Sequence, residues 1–159
     1  MRFLLTLIAL MLTTAALAAP FPFDENANAK ADIQQTLLNA QTAKLPVLII
    51  FGANWCPDCR ALDASIKTEK NAELIAKTFR IVKVDIGNFD RNLDIAAAYG
   101  DPQKNGIPAA VIVSPNNDVL YTSRRGDISS ARRMSDTAIY EYFRDAAATA
   151  NNTNGAAKQ

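Results

Sequence analysis

The only two cysteines of the chain sit two residues apart in Trp55-Cys56-Pro57-Asp58-Cys59, behind the apolar run Leu45-Pro46-Val47-Leu48-Ile49-Ile50-Phe51. The run reads as a buried strand, and Arg60 to Ile66 continues as a helix. A strand, a tight turn and a helix opening at a cysteine constrain the fold strongly. They put Cys56 at the helix mouth, where backbone N–H groups and the helix dipole stabilise a thiolate, and leave Cys59 within disulfide reach.

The remaining chain supplies alternating elements. Asp24 to Lys44, with Ile33, Leu37 and Leu38 as its apolar stripe, predicts a first helix, and Asn71 to Phe79 predicts another after the charged break Lys67 to Lys70. Arg80 to Ile86 alternates as a strand, Gly87 to Asp90 turns, and Arg91 to Tyr99 has helical spacing. After the polar loop Gly100 to Gly106, Ile107 to Val113 is a strand with a proline at its entrance, and Val119 to Thr122 returns as its hairpin partner. Ser135 caps a last helix running to about Ala148. The expected organisation is a leader at 1–18, a lead-in at 19–30, one α/β domain at 31–148 and a flexible polar tail at 149–159. Asn151-Asn152-Thr153 matches a glycosylation sequon, read as incidental in such a tail.

Met1-Arg2, the apolar stretch Phe3 to Leu12 and the small residues up to Ala19 have the pattern of a secretory signal peptide cleaved after Ala18. An uncleaved anchor is the other reading, disfavoured by an apolar run shorter than the roughly 20 residues a span needs. Cleavage removes one of 17 basic residues and leaves 16 facing 16 acidic ones. A near-neutral protein argues against nucleic acid or an anionic membrane as its partner. Arg124, Arg125, Arg132 and Arg133 form the one basic cluster, expected to be a solvated loop.

In an exported chain the cysteine pair is either one structural staple or one redox couple. A staple closing so short a loop contributes little stability. Zinc would need four Cys or His ligands, and the chain has no histidine and no third cysteine, so no metal or other cofactor is expected. The same absence removes a Cys-His hydrolase.

Taken with the βαβ pattern and the late Gly106-Ile107-Pro108, the Trp-Cys-x-x-Cys segment resembles the thioredoxin superfamily over roughly Ala31 to Ala148. Within it, the chain is similar to exported thioredoxin-like thiol-disulfide reductases, including the C-terminal domain of the membrane reductant DsbD, through Ala53-Asn54-Trp55-Cys56 and Ile107-Pro108. The resemblance implies a thioredoxin fold, a central mixed β-sheet flanked by helices. It implies that Cys56 attacks a substrate disulfide and that Cys59 resolves the mixed disulfide. It further implies a cis bond before Pro108, with the Ile107 backbone free to pair with an extended substrate. Trp55, the only tryptophan, would be an apolar platform beside the site, with a core role as the alternative.

Pro57 and Asp58 tune the couple. Asp58 places negative charge near the Cys56 thiolate, which raises the thiol pKa and favours a reducing pair, while the helix dipole acts the other way. One departure from the family stands out: thioredoxins carry a buried carboxylate six residues before the first cysteine, where this chain has Ile50. Lys83 matches the lysine that partners that carboxylate. Asp63, on the helix face of both cysteines, is the candidate to relay a proton to Cys59, or else a solvated helix carboxylate. The loop Asn88 to Asn105 looks longer than thioredoxin's equivalent and is a candidate for partner selection.

These readings lead to a monomeric periplasmic protein-disulfide reductase acting on disulfide-containing exported proteins and re-reduced by a membrane thiol donor of DsbD type. The alternative is a non-catalytic binding module with a fixed disulfide. An oxidase or isomerase reading is weakened because no segment is long enough for the large helical insertion of DsbA-type oxidases, and nothing signals the dimerisation that isomerases need.

Overall fold

The computed structural model describes residues 21–156. The expected leader and its cleavage site after Ala18 therefore lie outside the described residues. In order the elements are α1 (Ala29–Ala43), β1 (Val47–Gly52), α2 (Pro57–Ser65), α3 (Glu69–Thr78), β2 (Arg80–Asp85), α4 (Leu93–Ala98), β3 (Ala109–Val113), β4 (Val119–Thr122) and α5 (Asp136–Ala156), with 3-10 turns at Pro102–Asn105 and Ile128–Arg133.

Four strands form one mixed sheet in the order β2-β1-β3-β4. β1 runs parallel to β2 and antiparallel to β3, and β3 runs antiparallel to β4. Every residue of β1 and β3 is buried, as their unbroken apolar runs require of central strands, whereas the edge strands β2 and β4 keep exposed or half-buried positions. The expected mixed sheet flanked by helices is what the chain forms.

Local chemistry sets the helix ends. Asn28 caps α1 by accepting from the Ala31 N–H at 3.1 Å, so the helix starts five residues later than the apolar spacing predicts and Asp24 to Asn28 stays outside it. Its buried positions are Ala29, Ile33 and Ala40, with Leu37 packed against the core. Leu38, placed on the stripe from the sequence, is instead 56 % exposed because it falls one residue off that face. Ser135 does cap α5, its hydroxyl accepting from the Ala138 N–H at 3.1 Å.

The expected tail is corrected: α5 continues to Ala156. The alanine-rich stretch 146–150 propagates the helix, and Ala146, Ala147 and Ala150 are buried, which carries the packed face past Ala148. The lead-in also belongs to the core, since Phe23 is 3 % exposed. Two phenylalanines, Phe21 exposed and Phe23 buried, in a polar stretch have no periodicity to announce this.

Candidate active site

Cys56 is the N-cap of α2 and Pro57 its first helical residue, a position where a missing N–H costs nothing. Cys56 Sγ accepts a hydrogen bond from the Cys59 N–H at 3.1 Å, so the helix cap is itself the sulfur. A thiolate there would gain from the same N–H and from the unpaired donors of the first turn. The two cysteines are joined as a disulfide with Cα atoms 5.2 Å apart, and both are buried. Ile107 and Pro108, more than fifty residues away in sequence, come to the same spot. Their peptide bond is cis, and the Ile107 carbonyl oxygen lies 3.7 Å from Cys56 Sγ.

Trp55 is 51 % exposed, which places it on the surface beside the sulfurs rather than in the core. Its indole N–H donates to the Gly87 carbonyl at 2.8 Å, and its ring meets Phe89 with centroids 6.1 Å apart. Phe89 leads into an open groove of about 610 Å³ that also touches Leu93, Lys104, Gly106 and Arg125. The loop singled out by its length thus forms one wall of a groove ending beside Ile107.

Asp58 does not face solvent alone. Its carboxylate accepts from the Arg132 backbone N–H at 3.1 Å, and the Arg132 Nε lies 3.5 Å from its other oxygen. Arg132 remains largely solvent-exposed, as expected of the basic cluster, while its backbone and Nε meet Asp58. It also offsets part of the negative charge expected to act on Cys56. The bond bridges 74 residues, a separation no local pattern reveals.

Asp63 is 9 % exposed rather than solvated. It binds Lys67 at 2.7 Å and Lys83 through its other oxygen. Ile50 and Lys83 are register partners on β1 and β2, so the lysine stands beside the position where the family keeps its carboxylate and reaches across to α2 instead. Burial pushes the Asp63 carboxyl upward, but its bonds to Lys67 and Lys83 and their charges outweigh this and hold it below the ordinary value of 3.8. An acid held that low is ionised and able to accept a proton, but it is a weak base.

Sequence reasoning missed the back of the site. Asn54, 8 % exposed, accepts from the Phe23 N–H at 3.0 Å and donates to the Phe23 carbonyl at 2.8 Å. Its amide also donates to Glu25 at 3.0 Å, and Glu25 pairs with Arg91, which pairs with Asp85. The residue two before Cys56 therefore bolts the active-site turn to the lead-in. A lone asparagine gives no signal of it. Among the described residues no cluster suited to a metal ion occurs.

Comparison with known proteins agrees with this geometry. The thioredoxin-like family model matches residues 28–115. A solved disulphide isomerase from Xylella fastidiosa Temecula1 is 48 % identical and superposes with a TM-score of 0.79, covering 80 % of this chain and 98 % of that one. The DsbD C-terminal domain of Neisseria meningitidis, in its oxidised form, is 15 % identical with a TM-score of 0.57 over 76 % of this chain and 97 % of its own, and shares the fold. Thioredoxin 1 of Chlorobaculum tepidum is 37 % identical over 75 residues, 45 % of this chain, so the match spans 63 % of that relative's length. The chain belongs to the thioredoxin-like disulfide oxidoreductase family.

Proposed function

We propose that the protein is an exported, periplasmic thiol-disulfide reductase. Cys56, as thiolate, attacks a substrate disulfide to give a mixed disulfide. Cys59 then displaces the reduced product, leaving Cys56 and Cys59 joined. The observation that carries the exchange chemistry is the capping of α2 by Cys56 Sγ beside the Ile107 carbonyl and an exposed Trp55. The reducing direction is supported by Asp58 in the first turn of α2, whose charge opposes a thiolate at Cys56. The substrates are disulfide-containing exported proteins and the donor is a membrane thiol reductant of DsbD type. Export rests on the leader pattern ending at Ala18.

Equilibration of the mature protein with glutathione tests the direction. A potential near roughly −270 mV is expected, and one near about −120 mV would make the protein an oxidant. A second reading, isomerase, is favoured by the 48 % identity to a disulphide isomerase. A potential near about −180 mV with rearrangement of scrambled substrates would establish it instead. No exchange at all would leave the binding module with a fixed disulfide.

A further inference from the structure

Gly52, the last residue of β1, is pinched between two side chains. A Cβ there would collide with the Phe23 ring and come within 3.0 Å of Cys59 Sγ. Ring and sulfur thus lie against the same point, with glycine providing the room. Phe23 and Cys59 are 3 % and 1 % exposed. The ring is held from behind by the two hydrogen bonds between Asn54 and the Phe23 backbone, so its position is fixed by the residue next to Trp55.

We propose that Phe23, clamped by Asn54, is a positioning residue that keeps water off the resolving thiol. The lead-in is then a working part of the site. This rests on Cys59 being the resolving cysteine of the proposed exchange. In that step Cys59 loses its proton to base, its sulfur bonds to Cys56 Sγ, and the bond from Cys56 to the substrate sulfur breaks. The substrate leaves as a thiol, reduced by two electrons that the dithiol gives up. A dry, apolar cover disfavours the Cys59 thiolate until a substrate is attached. It holds the proton on Cys59 and delays resolution.

Of the charged groups on the elements packed around this point, Arg60 next to Cys59 and Asp24 next to Phe23 are exposed and form no ion pair among the described residues, and the others are matched. Asp63 pairs with Lys83, Asp85 with Arg91, Arg91 with Glu25, and Asp58 with Arg132. Replacing Phe23 changes the cover and leaves these charges in place.

The test is the pH profile of Cys59 alkylation by iodoacetamide in the mature chain carrying Cys56→Ser, with thermal unfolding recorded alongside. Phe23→Ala is expected to move the profile to lower pH, so that the thiolate fraction and the alkylation rate near neutral pH rise, by up to roughly tenfold if the midpoint falls by about one pH unit. Phe23→Leu, still apolar, is expected to keep the parent profile. Asn54→Ala, which frees the strap and retains the ring, is expected to move the profile in the same direction as Phe23→Ala and serves if that variant fails to fold. An unchanged pKa in folded Phe23→Ala, or an equal drop in Phe23→Leu, overturns the proposal. Glutathione exchange by the chain with both cysteines is read separately: its failure would sink the oxidoreductase reading and leave the titration result standing.

Discussion

The two sides of the CxxC turn are built from different materials. On the side of Cys56 lie an exposed tryptophan and an exposed phenylalanine, surfaces that a second protein can reach, next to the carbonyl of the buried Ile107. On the side of Cys59 lie Gly52 and the Phe23 ring, with Asp63, farther along the same helix, paired to Lys83 of β2. The contrast shows how two thiols of one short loop acquire different tasks. In the exchange proposed above, Cys56 has a helix cap and an approach route, and Cys59 has apolar neighbours that would keep its proton on.

The comparison breaks most sharply at the cysteines. Cys59→Ser should abolish turnover and trap substrates on Cys56 as mixed disulfides, visible as reducible adducts on a non-reducing gel, whereas Cys56→Ser should form none. Equal trapping by both variants would erase the asymmetry. Trp55→Ala acts on the open side alone. Its kcat/KM for a protein disulfide should fall by about tenfold, equivalent to roughly 1.4 kcal/mol of lost contact, with little change toward a small-molecule disulfide.

Asp63→Asn tests the closed side. It strands Lys83 half-buried and should cost about 1–3 kcal/mol in denaturant unfolding. Because the folded-state pKa lies below the unfolded one, the contribution is fully present above the ordinary value of 3.8 and is lost as pH falls through the folded value. The variant should therefore converge on the parent stability in acid. If Asp63 were also the proton relay, resolution by Cys59 would slow in the same variant at neutral pH, a readout independent of stability. The smallest effect is expected at the far end of α5. Truncation after Ala150, the last buried residue there, should change stability by less than about 0.5 kcal/mol.

Elements made of a dense local pattern were legible in the sequence. The apolar runs of β1 and β3 announced two central strands, and the spacing of Cys56, Cys59 and Asp63 placed all three on one helix. What escaped depends on partners far apart in the chain. Arg132 binds Asp58 through its backbone, which carries no residue-specific signal, and Phe23 is buried because a glycine 29 positions later leaves a hole for it. Lys83 is instructive in between. Its identity matched a family position, but its actual partner followed from Ile50 occupying the place beside it, leaving Asp63 as the carboxylate within reach.

The hydrogen bond from the Trp55 indole to Gly87 has a consequence for recognition. A surface side chain that must be frozen on contact charges its lost rotamer freedom against affinity, about 0.5–1.5 kcal/mol each. Trp55 already has its ring orientation selected by that bond and by Phe89. Its ordering cost is met during folding, and the gain belongs to residence time: a partner should stay longer on this surface rather than arrive sooner.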